Sequence, residues 1–407
     1  MDREPVRATT TEQAASRPWD AVVVGAGPAG AIAARELARA GARVLLADKA
    51  AFPRPKVCGC CLNAAALGVL DRVGLGSLVA RSGGIPVGEV RIAARTARAR
   101  VRLPAGAAIA RETFDTALVR EAVACGVAFL PGANVTVDQL GETPRLRIGP
   151  SGSAQVIRTR VLIAADGLAG RLLGAEHGFP VRVSRAARIG CGVMLDDRAA
   201  DRFGGGRGVE PGVIHMACAR GGYVGLVALR DRGIDIAAAF DPGFVRACGS
   251  PGAAAERVLA SCSLGAIDGL ATAAWRGTPA LTRRRHRLQR GSVFIIGDAA
   301  GYVEPFTGEG MAWAMASAEA VAPIALDAMN SPASDIEADV WTAAHHRLIG
   351  ARMRTCRLVA AGLRRPALTR ASVHLAGLVP RIGRAVARRI GNVRARERSP
   401  LLTGGPA

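Results

Sequence analysis

The sequence has few aromatic residues, no long apolar run and no apolar segment near its start. Phe, Trp and Tyr make up 4% of the 407 residues, and Ala and Gly are abundant instead, which favours close-packed helices and backbone-lined ligand sites over a large aromatic core. A membrane-spanning helix needs about 18 uncharged residues in succession, and no segment provides them. The opening residues, MDREPVRATTTEQAASRPWD, also lack the apolar region of a secretory signal peptide. We expect residues 1–18 to form a disordered lead-in.

Lysine is nearly absent, although the chain is strongly basic. Of the 54 basic residues only Lys49 and Lys56 are lysine, which leaves 52 arginines, and the formal net charge is +21. Such a charge first indicates nucleic acid or an anionic membrane as a partner. The arginines are scattered over the whole chain, however, and no helix-turn-helix, RNA-recognition or zinc-finger pattern accompanies them. We therefore expect no nucleic-acid partner.

The cysteines do not form the even, regularly spaced set of a disulfide framework. There are nine, six of them isolated, which is typical of a reducing cytoplasm, and we expect a cytoplasmic protein. The other three, Cys58, Cys60 and Cys61, stand together in PRPKVCGCCLN. Their spacing provides no fourth ligand for a tetrahedral metal site, and a disulfide between adjacent cysteines would be strained. We predict no metal here.

A complete βαβ unit follows the lead-in. Residues 21–24 are a buried β-branched run, and a helical Ala/Leu/Arg segment and a second apolar run, residues 44–47, follow it. Gly25, Gly27 and Gly30 lie between the first strand and the helix at G-x-G-x-x-G spacing. The first glycine allows a tight turn, the second lets the backbone approach a pyrophosphate, and the third lets helix and strand pack closely. Asp48 ends the second strand, where its carboxylate can accept hydrogen bonds from a ribose.

The rest of the chain alternates between two kinds of pattern. Strand-like segments occur over residues 87–103 and 181–285, and apolar strands and helices occur before, between and after them. We predict an α/β protein: an FAD-binding, glutathione reductase-like βαβ domain, an interleaved β-rich substrate domain and a helical C-terminal region. The predicted boundaries assign residues 19–85, 105–180 and 286–330 to the first domain, 86–104 and 181–285 to the second, and 331–407 to the C-terminal helices.

Three separated segments together resemble the class A FAD-dependent monooxygenase superfamily, with the p-hydroxybenzoate hydroxylase type of fold. These segments are VVVGAGPAG…DK, VLIAADGLAGR and IIGDAAGYVEPFTGEG. The resemblance extends over about residues 19–330 and includes the geranylgeranyl reductase-like and polyketide-associated branches. It implies FAD as the cofactor, with NADPH or NADH as a transient electron donor because only one dinucleotide fingerprint is present. The residues that it implies at the cofactor are Gly25, Gly27, Pro28, Ala29, Gly30, Asp48, Lys49, Arg54, Lys56, Gly59, Arg111, Asp166, Gly167, Gly297, Asp298, Pro305, Gly308 and Gly310.

The activity that we predict from this resemblance is hydroxylation by O₂, through a C4a-hydroperoxyflavin, of an apolar phenolic or polyketide-type substrate. The alternative is a geranylgeranyl reductase-like enzyme that reduces isoprenoid C=C bonds, and a third possibility is a flavoprotein that only senses redox state. Cys58 and Tyr223 are the candidate catalytic residues, and Glu304, Glu309 and His215 are further candidates for a substrate base. The basic C-terminal region either lies on an anionic membrane or packs as a helical cap on the FAD domain.

Overall fold

The fold is that of a computed structural model, which describes residues 6–149, 154–230, 233–304, 306, 308–331 and 339–379. The helices and short 3₁₀ turns occupy all parts of the chain. The α-helices are α1 Thr11–Ala15, α2 Pro28–Arg39, α3 Ala64–Arg72, α4 Leu78–Arg81, α5 Arg111–Ala124, α6 Pro242–Cys248, α7 Pro251–Ser261, α8 Gly310–Asn330, α9 Val340–Leu363 and α10 Pro366–Leu378. The 3₁₀ turns are Ala175–His177, Asp197–Ala200 and Gly297–Ala299.

The strands form two main sheets and two small ones. They are β1 Trp19–Val24, β2 Val44–Ala47, β3 Cys61–Asn63, β4 Ile85–Pro86, β5 Glu89–Ala94, β6 Ala97–Arg102, β7 Gly106–Ala108, β8 Ala128–Leu130, β9 Val135–Gln139, β10 Arg145–Ile148, β11 Gln155–Ala164, β12 Val181–Val183, β13 Ile189–Leu195, β14 Val213–Ala219, β15 Gly222–Leu229, β16 Gly233–Phe240, β17 Arg276–Ala280, β18 Arg283–Arg285, β19 Gln289–Arg290, β20 Val293–Ile295 and β21 Gly301–Tyr302.

The first main sheet is the parallel sheet predicted from the βαβ pattern. Its order is β19-β20-β11-β1-β2-β8, and all neighbouring pairs except β19–β20 are parallel. The hairpin strands β9 and β10 extend from β11. Helix α2 packs between α5 and α8 on one face. Since β1 and β2 are buried almost throughout, their continuous apolar sequence is explained by burial on both faces.

The second main sheet brings together strands from distant parts of the chain. Its order is β17-β13-β16-β15-β14-β5-β6, so the hairpin β5–β6 joins strands that begin about 90 residues later. The pairing between β5 and β14 is parallel and the others are antiparallel. Helix α7 packs against β14 and β15. The β-rich unit is therefore interleaved with the parallel sheet, as predicted.

The C-terminal region is helical within the described residues. Helix α9 packs on α8, and α10 packs on β5 and β6 of the second sheet. Arg364, at the end of α9, forms an ion pair with Asp241 at 2.7 Å. The prediction of helices continues beyond residue 379, but residues 380–407 lie outside the described part of the chain.

The prediction of a disordered lead-in over residues 1–18 was wrong for the described part of that segment. Helix α1 begins at a capping box in which Thr10 and Gln13 bond reciprocally. Its Ala14 is fully buried, and the Ala14 carbonyl accepts a hydrogen bond from the Trp19 indole at 2.8 Å. The polar composition concealed this local cap and the packing of Ala14, with Val6 and Ala15 beside it, on the core of the domain. Residues 1–5 lie outside the described residues.

Candidate functional site

A cavity of about 1530 Å³ extends from the carboxyl edge of the parallel sheet to the inner face of the second sheet. One end is lined by the turn after β1 and by Asp48, and the other by apolar residues such as Val87, Ile214 and Val227. Sites for drug-sized ligands commonly occupy roughly 300–1,000 Å³. The cavity therefore has room for a dinucleotide cofactor together with a second molecule.

The three glycines of the first motif meet three different steric demands. Gly25 has φ +106°, and a Cβ there would lie 2.3 Å from the Ala165 carbonyl oxygen. A Cβ on Gly30 would lie 1.8 Å from the Gly25 carbonyl oxygen, so this glycine sets the distance between helix and turn. A Cβ on Gly27 would meet only the Arg54 guanidinium, at 3.5 Å. The N-terminus of α2 thus faces free space beside Gly27, where its unpaired amides and positive dipole end favour a phosphate.

Asp48 lies where a ribose-binding carboxylate is expected. It follows β2, and its two oxygens accept the backbone N–H groups of Ala26 at 2.8 Å and Ala50 at 2.9 Å. The Arg54 guanidinium lies 3.5 Å from the same carboxylate, and Lys49 follows in the cavity wall. Through this one carboxylate, these contacts connect the turn after β1 to the start of the cysteine segment, residues 53–63.

A cluster of buried charges lies next to this end of the cavity. Arg111 forms two hydrogen bonds with Asp115, at 2.8 and 2.9 Å, and Arg54 lies 3.4 Å from the same carboxylate. Burial lowers the pKa of Lys56, and the attraction of Asp298 opposes this shift. The arginine and lysine side chains line the cavity, so they are available to a second anion such as a pyrophosphate.

The two later motifs converge on the same cavity from neighbouring strands. Asp166 and Gly167 follow β11, and Asp166 accepts the Leu172 N–H at 2.9 Å. Gly297 and Asp298 follow β20, which pairs with β11. Burial raises the pKa of Asp166, and hydrogen bonds from backbone N–H groups oppose this shift. Burial also raises the pKa of Asp298, and the charge of Lys56 opposes that shift.

Gly308 and Gly310 line the cavity at the start of α8, and Gly297 precedes them without lining it. Gly297 has φ +61°, and a Cβ there would lie 2.9 Å from the Ala29 Cβ in the first turn of α2, beside Pro28. Gly308 has φ +68° with no atom within 4 Å of a Cβ, and Gly310 begins α8. Pro305 lies outside the described residues. Two helix N-termini, glycine surfaces and three cationic side chains around one elongated space are a donor set that fits FAD.

The cysteine segment forms a wall between the two sheets. A Cβ on Gly192 would lie 3.2 Å from Val57, and one on Gly59 would lie 3.9 Å from the Ala237 side chain, so the segment lies close against the second sheet. Cys58 is hydrogen-bonded to the Arg111 guanidinium, and Cys61 lines the cavity. All nine cysteines are free thiols. Within the described ranges no group of three or more His, Cys, Asp or Glu side chains is placed to hold a metal ion.

The structure places the candidate catalytic residues Cys58 and Tyr223 on the cavity and the three further candidates for a substrate base away from it. Tyr223 lines the cavity with its ring edge-to-face on Phe306 at 5.1 Å, and burial raises the pKa of its phenol. Glu304 is instead paired with Arg188 at 2.7 Å, both side chains being fully buried. His215 and Glu309 do not line the cavity. Burial lowers the pKa of His215 to about 4 and raises that of Glu309 to about 7.

Sequence reasoning missed Asp235. This residue lies in β16 with its side chain on the cavity, and it accepts a hydrogen bond from the Cys60 thiol. The sequence signal was a single acid in the strand GIDIAAAF, at the alternate position that faces the same side as Ala237 and Ala239. Periodicity alone does not reveal whether that side faces solvent or a cavity.

Comparison with known proteins gives matches to flavoproteins. A family model described as FAD binding domain matches residues 19–224. Menaquinone reductase of Mycobacterium tuberculosis is 35% identical over 164 residues, 38% of this chain and 40% of that protein. Digeranylgeranylglycerophospholipid reductase 1 of Methanopyrus kandleri is 33% identical over 166 residues, 38% of this chain and 41% of that protein. The chain spans about two fifths of the length of these relatives.

Solved structures are similar over nearly the whole chain. A flavoprotein/dehydrogenase of Cytophaga hutchinsonii has a TM-score of 0.75 at 18% identity, covering 92% of this chain and 93% of that one. The p-nitrophenol 4-monooxygenase of Pseudomonas putida has a TM-score of 0.70 at 17% identity, covering 93% and 99%. These similarities confirm the predicted fold class, the FAD-binding fold of class A flavoprotein monooxygenases with a helical C-terminal region.

Proposed function

Since this chain belongs to the FAD binding domain family and is an FAD-dependent oxidoreductase, we propose that it hydroxylates an apolar phenolic or polyketide-type substrate, with NADPH or NADH as the electron donor. The observation that carries this proposal is the lining of the cavity beyond the cofactor residues. Aliphatic side chains are prominent in it: Val87, Val90, Ile92, Leu103, Ile214, Met216, Val227 and Leu281. Such a wall favours a substrate with a large hydrocarbon surface, because each buried CH₂ contributes about 0.8 kcal/mol.

The aromatic part of the substrate has a suitable surface near Tyr223 and Phe306. Their edge-to-face rings border the cavity and provide the offset contacts that aromatic rings prefer. A flat ring bound there would be enclosed by apolar groups and shielded from water.

The chain's own residues bind, orient and shield, and the cofactor carries out the redox chemistry. Bound FAD would accept electrons from the nicotinamide and activate O₂. The amides beside Gly27 and the side chains of Arg54 and Lys56 would hold its phosphates. The cysteine segment lies close against the second sheet, where it would help to keep water away from the reacting atoms.

Reduction of an isoprenoid C=C bond is the second candidate, and two of the relatives favour it because both are named reductases. In this reaction bound, reduced FAD would supply a hydride, and Cys58 or Cys61, which both line the cavity, would supply the proton. The aliphatic wall suits an isoprenoid chain equally well.

The decisive experiment compares turnover of the purified FAD-loaded protein with and without O₂. The substrates are a long-chain alkylphenol panel and an isoprenoid quinone, each with NADPH and with NADH. Hydroxylation adds about 16 mass units and stops without O₂, whereas alkene reduction adds about 2 and does not. Reduced product formed anaerobically, with no oxygenated product in air, would refute the hydroxylase proposal.

A membrane surface is the proposed source of such a substrate. Leu375 and Ala376 of α10 line the cavity, while Leu375 and Leu378 are 48% and 67% exposed. Together with Leu368 they lie along one side of the helix, at i, i+7 and i+10. An exposed apolar strip at the cavity rim of a chain with net charge +21 suits an anionic bilayer. In the described helices, none combines the length and apolarity required to cross a membrane.

A further inference from the structure

Asp235 is a carboxylate in surroundings that contain no cation for it. The side chain is 6% exposed and belongs to the face of β16 that lines the cavity, whereas Ile234 and Ile236 point into the opposite core. No Arg, Lys or His nitrogen of the described residues lies within ion-pairing distance of it. Its neighbours across the sheet are Val227 and Met194.

One oxygen of this carboxylate lacks a partner. The Cys60 thiol donates a hydrogen bond to the side chain, yet Oδ2 is buried and has no hydrogen-bond partner among the described residues. A buried polar atom without a partner costs about 1–3 kcal/mol, so proteins rarely retain one unless something else binds it. Since Asp235 lines the cavity, a molecule bound beside it is the candidate partner for this oxygen.

The two thiols next to Asp235, those of Cys60 and Cys61, are protonated, so they can donate hydrogen bonds and add no negative charge beside the carboxylate. Burial raises the pKa of Cys60 and of Cys61, and the nearby carboxylate raises both further. Both sulfurs therefore keep their protons at neutral pH. Cys60, whose own backbone has φ +50°, contacts the carboxylate from the cysteine segment, and Oδ2 is left without a partner among the described residues.

We propose that Asp235 is a catalytic residue whose Oδ2 binds a phenolic hydroxyl group of the substrate and accepts its proton when the ring reacts. This assignment rests on the proposed hydroxylase function. The phenol O–H bond breaks, an O–H bond forms on the carboxylate, and the electron pair stays on the phenolate oxygen. The net charge of the pair remains −1, and the ring becomes more electron-rich and so more reactive toward an electrophilic oxygen.

The environment of the carboxyl group suits this exchange. Burial raises the pKa of Asp235 to about 7, while the Cys60 hydrogen bond opposes that shift. A phenol has a pKa of about 10, so proton transfer to this carboxylate is less unfavourable than transfer to an ordinary aspartate at about 4. The groups that face Asp235 from the packed elements are Cys60 and Cys61 on the cysteine segment and the apolar Val227 and Met194 on β15 and β13.

Ligand binding without turnover tests the hydroxyl site separately from the reaction. The probe is a long-chain alkylphenol, compared with its methyl ether, and binding is followed by the change in the flavin visible spectrum. The wild type should bind the phenol at least about tenfold more tightly than the ether, and Asp235→Leu should abolish that preference. The control, Asp197→Asn, lies exposed on the same lobe and should retain it. An equal preference in the wild type and Asp235→Leu would overturn the assignment.

Turnover then tests the proton transfer. Asp235→Asn preserves size and hydrogen bonding but accepts no proton, so it should retain FAD and phenol binding while hydroxylation slows by about 100-fold or more. The wild-type rate should fall as the pH drops through about 7, the pKa of Asp235, and the rate of the variant should not show this fall. A variant with the wild-type rate and pH profile would refute the role of Asp235. If no oxygenated product forms with any variant, the hydroxylase proposal fails, and the binding comparison still decides whether Asp235 recognises the hydroxyl group.

Discussion

At the residue scale, two glycines of the first motif are required by the fold and one by the ligand. A Cβ on Gly25 or Gly30 would clash with backbone atoms of the protein, whereas a Cβ on Gly27 would have room. A glycine with such room at a helix N-terminus is best explained by a ligand that approaches the backbone.

Gly27→Ala should therefore fold normally and bind FAD more weakly. Its backbone has φ −78°, which alanine adopts without strain, but the added methyl group enters the space reserved for the pyrophosphate. Overpacking of about 1–3 kcal/mol corresponds to a loss of about 5- to 150-fold in affinity. Flavin content and titration of the apoprotein with FAD measure it. The control is Gly68→Ala, in α3, which should keep full affinity. Unchanged affinity in Gly27→Ala would contradict the site.

Asp235 should also make the stability of the protein depend on pH. Its folded pKa of about 7 is above the unfolded value of about 3.9. The protonated carboxyl group therefore makes its full contribution to the free energy of unfolding below about pH 4. This contribution, up to about 4 kcal/mol, is lost as the pH rises to about 7. Relative to Asp235→Asn, the wild type should be more stable at about pH 5 than at about pH 8. Urea unfolding of both proteins at the two pH values measures this difference, and parallel pH dependences would show that the carboxyl group is not buried as described.

At the element scale, α10 is positioned by close contact with a strand. A Cβ on Gly377 would lie 2.3 Å from the Arg98 carbonyl oxygen of β6, and the helix borders the cavity through Leu375 and Ala376. The position of the helix thus depends on one glycine. In contrast, Gly350 in α9 has no atom within 4 Å of a Cβ.

The two glycines should respond to alanine in opposite directions. Gly377→Ala forces α10 away from β6 and should destabilise the protein by about 1–3 kcal/mol. Gly350→Ala should stabilise it by up to about 1 kcal/mol, because alanine has the better helix propensity and fills open space. Chemical denaturation of the two variants gives both values. If Gly377→Ala proved as stable as Gly350→Ala, the packing of α10 on the sheet would be incorrect.

At the scale of the whole molecule, the proposed membrane contact would combine charge with exposed leucines. The net charge of +21 would attract the protein to an anionic surface, and the leucines of α10 would provide the apolar contact there. Either term alone is weak, because salt screens the first and the apolar strip is small.

Sedimentation with anionic vesicles should detect this association. Binding is expected at low salt and should weaken as salt is raised, since exposed charges are screened within about 10 Å at 0.1 M. Leu375→Glu/Leu378→Glu should reduce it by about tenfold or more, because two apolar contacts are lost and two negative charges gained. The control is Val156→Glu, at a 44% exposed position of the other sheet. Vesicle binding that is insensitive to the leucine substitutions would exclude α10 as the contact.

Much of the cofactor region was predictable because its residues are close in sequence. The strand, the three glycines, the helix and Asp48 form one continuous unit, and each later motif directly follows an apolar strand. Local sequence therefore encodes both the element and the position of the polar group at its end. The roles of the predicted site residues stay predictions, although all the described residues predicted at the cofactor, except Gly30 and Gly297, line the same cavity.

The sequence by itself determined the family and the cofactor. It also determined the order in which segments of the two sheets alternate along the chain, and that Cys58, Cys60 and Cys61 lack the usual spacing of metal ligands. Only the tertiary structure decided what those cysteines contact. Cys58 lies on Arg111, and Cys60 lies on Asp235, which is 175 residues further along the chain. It also decided that Glu304 is paired while the Asp235 carboxylate retains a free oxygen. The physical reason is that burial and partners determine what a carboxyl group does, and both come from residues distant in sequence.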